Sequence, residues 1–82
     1  MYFTYILFSP SLGVFYTGHT ENLPRRMEEH NRGKTAFSAK GMPWQLIFSR
    51  SFPTRAEAVA LERKIKQRGA ARFLKDAGTL KG

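Results

Sequence analysis

Residues 14–30 read VFYTGHTENLPRRMEEH, and this stretch predicts the part of the fold from which the rest follows. Its first half is rich in aromatic and β-branched residues, which favours a strand that ends near His19. Its second half starts with Asn22, a good helix cap, and Pro24 is tolerated in a first helical turn. The stretch therefore predicts a strand that leads into a short amphipathic helix ending around residues 31–33.

The preceding residues predict a partner for that strand. Residues 2–8 (YFTYILF) are β-prone, and SPSLG then marks a turn, so the two runs predict a hairpin. If Phe8 pairs with Gly13, Tyr5 lies directly opposite Tyr16 on one face of the sheet. A slip of one residue would separate the two rings.

The second half of the chain predicts one strand and two helices. The segment GKTAFSAKG (residues 33–41) has no sustained periodicity, which indicates an exposed, basic and mobile loop. PWQLIFSRSF (43–52) resembles a third strand. Thr54 and Glu57 match a capping box, which predicts a helix that runs to Gly69. AARFLKDAG (70–78) predicts a short final helix, followed by a frayed tail.

These elements predict an α+β fold with a three-stranded antiparallel sheet flanked by two or three helices. We expect one domain over residues 1–82, with its core at about residues 2–75. The apolar start, MYFTYILF, lacks the basic region and cleavage site of a signal peptide and is too short to span a bilayer. The expected location is the cytoplasm, with no membrane partner.

Composition narrows the class of partner. Fourteen Lys and Arg against six Asp and Glu give a net charge of +8, which favours nucleic acid first and an anionic membrane surface second. A basic ribosome-associated or simply very soluble protein is the alternative. The chain has no cysteine, which excludes disulfides and thiolate metal sites and fits a reducing compartment.

The first predicted helix carries two polar residues close to its apolar face. At about 100° per residue, His30 projects between Leu23 and Met27, and Arg26 lies at the edge of that stripe. Arg26 and His30 are four residues apart, so their side chains can converge on one anion. The alternative is a structural histidine beside an arginine that extends to solvent.

The long second helix carries a carboxylate near its apolar face. Ala58, Leu61 and Ile65 form the apolar stripe, and Glu62 projects within about 40° of its centre. A carboxylate there costs free energy unless it is paired or binds a metal. The alternative is an ion pair with one of the many arginines.

The candidate residues are two tyrosines, an arginine, a histidine and one carboxylate. This combination suits the cleavage of a phosphodiester. An arginine can clamp phosphoryl oxygens and offset charge that develops in the transition state. One carboxylate can hold Mg²⁺ that keeps most of its waters. A tyrosine or histidine can position or deprotonate water, although a tyrosine with a pKa near 10 needs nearby cations or the metal to do so.

With these residues in place, the chain resembles the GIY-YIG endonuclease family, in particular its small stand-alone, single-domain branch. The resemblance runs from Tyr2 to about Leu74. Its motifs are the aromatic first strand with Tyr5 and then, in order, YTGHT (16–20), NLPRRMEEHNRGK (22–34) and PWQLIFSRSFPTRAEAVALERKIK (43–66).

The resemblance implies a catalytic set of Tyr5, Tyr16, Arg26, His30 and Glu62. Tyr16 would partner the nucleophilic water, and Tyr5 would order that water or contact the phosphate. Arg26 aligns with the catalytic arginine, and His30 with a position where relatives carry histidine or tyrosine. Glu62 aligns with the single metal-binding carboxylate, for Mg²⁺ or Mn²⁺. Gly18 matches the glycine that allows close backbone approach.

The sequence also departs from the family pattern. The GIY triplet reads FTY at residues 3–5, and YIG reads YTG at residues 16–18. His19 stands where several relatives have lysine, so its charge would depend on pH. Some relatives carry a further asparagine beyond the metal glutamate, and no asparagine follows Asn31 here. This leaves either a minimal site or a weakened one.

The resemblance implies a Mg²⁺- or Mn²⁺-dependent endonuclease that acts on DNA in preference to RNA, in DNA repair or processing. We expect selectivity for structure rather than sequence, because backbone contacts carry no base information. Candidate substrate-binding residues are Gly18, His19, Lys34, Lys40, Arg63, Lys66, Arg68 and Arg72. The alternatives are a binding module with little or no cleavage and, less favoured, a protein-binding accessory domain.

Overall fold

The computed structural model describes residues 1–78 and contains a three-stranded sheet and four helices. The elements, in chain order, are β1 (Tyr2–Ser9), β2 (Val14–Thr20), α1 (Leu23–Asn31), α2 (Ala36–Lys40), β3 (Gln45–Phe52), α3 (Arg55–Arg68) and α4 (Ala70–Asp76). The strand order is β2-β1-β3, and both pairs are antiparallel. The predicted α+β fold is confirmed. The predicted frayed tail, residues 79–82, lies outside the described residues.

The register of the hairpin differs from the prediction. Phe8 pairs with Phe15 rather than Gly13, and Tyr5 pairs with Gly18 rather than Tyr16. Gly13 belongs to the turn, because its φ is +67° and its backbone N–H donates to the Ser9 carbonyl at 2.7 Å. Since the error is an even number of residues, Tyr5 and Tyr16 still share a face, as diagonal neighbours.

The segment predicted as an irregular loop contains the short helix α2. Thr35 caps it and forms a reciprocal capping box with Ser38. The Trp44 indole Nε1–H donates to the Ser38 carbonyl at 2.9 Å, and a Cβ on Gly41 would overlap the Trp44 ring. The helix therefore depends on a contact with a residue beyond it in the chain, which periodicity within residues 33–41 does not show.

The central strand β1 has apolar neighbours on both faces. On one face Tyr5 and Leu7 pack with Trp44, beside residues of α1. On the other face Ile6 packs against Ile65 and Leu74 of α3 and α4. The buried Thr4 hydroxyl donates to the Ala58 carbonyl at 2.7 Å and ties α3 to the sheet. Alternation along one strand thus positions α1 and α3 on opposite faces.

Local signals fix both long helices where the sequence predicts them. Asn22 Oδ1 accepts from the Arg25 backbone N–H at 3.1 Å, and the Thr54 hydroxyl accepts from that of Glu57 at 3.3 Å. Thr54 also donates to the Glu57 carboxylate. At the far end of α3, Gly69 adopts a positive φ of 92°, which favours glycine. Within residues 1–78, no helix is long and apolar enough to cross a membrane.

Candidate active site

Three of the five predicted catalytic residues form an aromatic cluster between the sheet and α1. The Tyr16 and His30 ring centroids are 4.7 Å apart, and those of Tyr5 and Tyr16 are 6.2 Å apart. Tyr5 and His30 meet edge-on at 6.4 Å. The buried Trp44 ring lies 5.8 Å from His30 and supports the cluster. Strands β1 and β2 and helix α1 therefore hold these side chains in one packed group.

Gly18 is required by the packing of the two tyrosines. A Cβ at this position would lie 2.8 Å from the Tyr5 hydroxyl and 3.2 Å from Tyr16 Cε1. Neither ring can yield easily, because Tyr5 is fully buried and both rings pack in the cluster. The glycine of the YTG triplet thus allows Tyr5 and Tyr16 to lie side by side.

We expect Gly18→Ala to destabilise the fold by about 1–3 kcal/mol, as overpacked cores do, and to lower cleavage by displacing both rings. Thermal unfolding and cleavage rates measure the two effects. Tyr5→Phe removes the nearest contacting atom, so the double variant should recover part of the stability lost in Gly18→Ala. Equal stability of Gly18→Ala and wild type would contradict this account of the glycine.

The Tyr5 hydroxyl lies at the centre of the predicted set. It is buried, and no group among residues 1–78 meets it with good hydrogen-bond geometry, although it interacts weakly with the Tyr16 hydroxyl. Burial, and then the nearby Tyr16, raise the pKa of Tyr5 well above its ordinary value, with Arg26 opposing and Glu62 adding to the shift. Tyr5 therefore stays protonated at neutral pH. A buried polar group without a partner is costly, which is consistent with a hydroxyl that meets water or a ligand.

His30 is nine-tenths buried, and its Nδ1 has no hydrogen-bond partner within the described chain. Burial, and then the nearby charge of Arg26, lower the pKa of His30 below its ordinary value of 6.5. The imidazole is therefore neutral at neutral pH and can accept a proton.

This depressed pKa predicts acid destabilisation. Between the folded pKa and 6.5 the unfolded chain binds more protons, so the stability is complete above about pH 6.5 and is lost as the pH falls through the folded pKa. We expect the melting temperature to fall in this window, by roughly 4–8 °C for each kcal/mol lost. His30→Gln should have a flatter profile. An equally steep profile in His30→Gln would assign the effect to another group.

Glu29 pairs with Arg26 beside the aromatic cluster, although it is not among the residues predicted for the site. Its carboxylate lies 3.6 Å from Arg26 Nε, 3.6 Å from Arg25 Nε and 3.4 Å from Lys34 Nζ. Lys34, followed by the two arginines, lowers the pKa of Glu29 below its ordinary value. The signal in the sequence was its spacing of three and four residues from the two arginines.

Glu62 is paired with two basic side chains. Its Oε1 lies 2.5 Å from His19 Nδ1, and its Oε2 accepts from Lys66 Nζ at 2.6 Å. Burial alone would raise the pKa of Glu62, but Lys66 and His19 outweigh it and hold the pKa below its ordinary value. The carboxylate is thus ionised. Its partners are a histidine and a lysine, rather than the arginine of the alternative interpretation.

The donor set fits a divalent cation that keeps most of its water. No group of three or more His, Cys, Asp or Glu side chains in the described range could form a protein cage. Mg²⁺ commonly binds through one or two carboxylates plus substrate phosphate. Lys66 Nζ lies beside Glu62 as a cation would, and its side chain is 58% exposed, so it can move away. The negative charge of Glu62 contributes to the raised pKa of Tyr5.

The other predicted substrate-binding cations are spread around the molecule. Lys34 and Arg26 both pair with Glu29 and therefore lie close together. Arg63 lines a shallow cleft with His19, Glu62 and Lys66. Arg68 pairs with Asp76 at 2.8 Å, and with Arg72 it lines a groove along β2. Lys40 is exposed at the last residue of α2, with no ion pair in the part of the chain described. The structure therefore brings His19, Lys34, Arg63 and Lys66 to the site.

A polar cleft of about 380 Å³ adjoins the site. It contains two arginines, Arg25 and Arg55, that are not among the predicted site residues. Arg25, Arg26 and Arg55 line it together with His19 and Tyr2. The Arg55 guanidinium lies 5.3 Å from the centre of the Tyr2 ring. Arg25 and Arg55 lie in different elements, so their proximity depends on the fold and not on spacing in the sequence.

Comparisons with known proteins identify the family of the chain. Residues 1–75 match the model of the GIY-YIG catalytic domain. A UPF0213 protein of Photorhabdus laumondii is 45% identical over 56 residues, which cover 67% of this chain and 54% of the relative. The chain thus spans about half the length of that relative. A UPF0213 protein of Nitratidesulfovibrio vulgaris is 34% identical over 83 residues, covering 100% of this chain and 74% of the relative.

A solved structure supports the fold. The solution structure of UPF0213 protein BH0048 from Bacillus halodurans matches with a TM-score of 0.57 and 30% identity, covering 95% of this chain and 84% of that one. Together with the domain match over residues 1–75, this shows that the chain belongs to the GIY-YIG family of nuclease domains.

Proposed function

We propose that this chain is a divalent-metal-dependent endonuclease that hydrolyses phosphodiester bonds in DNA, selects substrates by structure rather than sequence, and serves DNA repair or processing. One observation carries the proposal. The buried Tyr5 hydroxyl lies beside Tyr16, and the opposite charges of Arg26 and Glu62 both act on its pKa; His19 contacts Glu62 and lines one cleft with Arg26. Four separate elements contribute these side chains, a convergence that helix stability or sheet packing alone does not require.

In the proposed reaction, Arg26 binds the non-bridging oxygens of the scissile phosphate. Its guanidinium offsets the charge that builds up on those oxygens as water attacks phosphorus and the bond between phosphorus and the leaving sugar oxygen breaks. The leaving oxygen takes a proton from solvent. Glu29 holds Arg26 in place but is shared with Arg25 and Lys34, so Arg26 remains able to turn toward an anion.

Tyr16 and His30 position the attacking water and accept its proton. Tyr16 positions the water, and the neutral imidazole of His30, whose ring centroid is 4.7 Å from that of Tyr16, accepts the proton that the water loses. Tyr5 keeps its own proton and donates a hydrogen bond to the water or the phosphate. The two tyrosines therefore have different proposed roles, because Tyr5 is buried and Tyr16 is only partly buried.

Glu62 would hold the metal ion together with a substrate oxygen. When bound, such an ion supplies Lewis-acid stabilisation of the phosphate and lowers the pKa of a bound water. Lys66 and His19 keep the carboxylate ionised in its partly buried position. Lys66 must leave Oε2 for a cation to approach that oxygen.

The test is cleavage of a labelled panel of single-stranded, duplex, flapped and branched DNA with Mg²⁺ or Mn²⁺. Wild type, Glu62→Ala and Arg26→Ala are compared, each with a matched binding assay. Cleavage by wild type alone, with binding retained by Glu62→Ala, supports the proposal. Cleavage that survives both substitutions would point to a contaminating nuclease or a misplaced site.

A nucleic-acid-binding module without turnover is the second candidate. The observation that favours it is that both oxygens of Glu62 are already engaged by His19 and Lys66. If no member of the panel is cut while all three proteins bind equally, this second candidate replaces the first.

A further inference from the structure

A second cleft, between α1 and α2, opens beside the proposed catalytic residues. It has a volume of about 260 Å³, and its lining includes Tyr16, Arg26, His30, Lys34, Phe37 and Ser38. We refer to it as the aromatic cleft. Because Tyr16, Arg26 and His30 belong to both, a ligand in this cleft would lie next to the phosphate that Arg26 binds.

Phe37 is an aromatic residue of this cleft that the proposed reaction does not use. It is 48% exposed, and its ring centroid is 5.5 Å from that of Trp44. Trp44 is buried, and Asn31 fixes its backbone through two hydrogen bonds, of 2.7 and 3.3 Å. Phe37 therefore has a rigid support on one side, while about half of its surface remains open to a ligand.

The chemistry of the cleft fits a nucleobase. An aromatic ring with cations at the rim is the combination that proteins use for single-stranded nucleic acid, where bases stack and phosphates pair. Arg26 and Lys34 supply those cations, and both also pair with Glu29, a carboxylate that lines the same cleft. A bound phosphate therefore competes with Glu29 for these two side chains. The volume lies below the roughly 300–1,000 Å³ of drug-sized ligand pockets, which suits one base.

The polar side chains that line the cleft already have other roles: Glu29 pairs with three cations, and the proposed reaction uses His30 as a base. The Thr35 and Ser38 hydroxyls at its edge are 3.0 Å apart and serve the cap of α2. Stacking without directed hydrogen bonds tolerates any base, because every base has a π-face. A base that remains paired and stacked in a duplex cannot enter such a cleft without first leaving the stack.

We propose that the aromatic cleft binds the unpaired base of the nucleotide that adjoins the scissile phosphate, with Phe37 as the stacking platform. This inference rests on the proposed function for the position of the phosphate, and it assigns the substrate class. The chain selects DNA with an unpaired nucleotide at the cut site, as in single strands and flaps, over continuous duplex.

The experiment measures binding in EDTA, so that no cutting occurs. Equal lengths of single-stranded and duplex DNA are titrated with wild type, Phe37→Ala, Phe37→Trp and Leu46→Ala. We expect Phe37→Ala to weaken single-strand binding about 5- to 150-fold, as loss of one stacked base does, and to leave duplex binding nearly unchanged. Phe37→Trp should restore single-strand binding. Leu46, which is 42% exposed on β3, is the matched apolar control and should have no effect.

Fluorescence provides a second readout that does not depend on affinity. A fluorescent base analogue in the single strand should be quenched on binding, and Phe37→Ala should abolish that quenching. Unchanged single-strand affinity in Phe37→Ala, or an equal loss for duplex, would overturn the inference. Because the readout is binding and not cleavage, Phe37-dependent stacking without turnover would defeat only the nuclease proposal.

Discussion

Glu62→Gln is expected to reduce cleavage by roughly 10²–10³-fold or more, a loss typical of removing one electrostatic element of a catalytic site. Glutamine keeps the shape, and its one carbonyl oxygen can accept a hydrogen bond from His19 or Lys66, but its amide nitrogen only donates and the side chain loses the negative charge that would hold a divalent cation. Nucleic-acid affinity should stay the same or rise, because the substitution makes a basic surface more positive. Single-turnover cleavage and equilibrium binding are the two measurements.

Glu57→Gln is the matched control for this substitution. Glu57 is an exposed carboxylate of the same helix, five residues earlier, and its polar contacts are with Thr54. Its replacement should leave cleavage unchanged. A similar loss in both variants would mean that the charge of α3 in general, rather than Glu62 in particular, supports the reaction.

Arg26→Ala is expected to lower the cleavage rate by about 10²–10³-fold, because no other side chain replaces the guanidinium at the phosphate. Arg25→Ala is a close control, since Arg25 is the preceding residue of α1 and lies at the same 3.6 Å from Glu29. Arg25 is more exposed, at 74% against 41% for Arg26. It lines the polar cleft but not the aromatic cleft.

The two arginine substitutions should therefore have different effects on DNA binding and on cleavage. Arg25→Ala should weaken binding to the same extent across DNA sequences and reduce the slope of log affinity against log salt concentration by about one. Bound substrate should still be cut at nearly the wild-type rate. Arg26→Ala should leave a complex that forms but is not cut. Equal rate losses in the two variants would show that helix α1 contributes only positive charge.

Local signals in the sequence were sufficient for most of the fold. The caps at Asn22 and Thr54 fixed the starts of α1 and α3, and the β-prone runs gave the three strands. The hairpin register was wrong by two residues because Gly13, predicted to pair with Phe8, lies in the turn with a positive φ, so that the strand pairing begins at Val14. Helix α2 was missed because it is held by Trp44, which follows it in the chain.

The candidate site was only partly accessible from the sequence. Helical periodicity identified Arg26, His30 and Glu62 as polar residues close to apolar faces. It could not show that Glu62 meets His19 of another element, or that the Tyr5 hydroxyl is buried without a partner. It also gave no reason to join Arg25 and Arg55. These facts depend on tertiary contacts.

The metal dependence of single-turnover cleavage tests the central proposal most directly. Wild-type protein, freed of metal with EDTA and in excess over a labelled flapped DNA, is titrated with Mg²⁺ or Mn²⁺. We predict no cutting in EDTA and a rate that rises with the cation to a plateau, while DNA binding is present throughout. Cutting that persists in EDTA, or bound DNA that no cation allows the protein to cut, would contradict a metal-dependent nuclease built around Glu62.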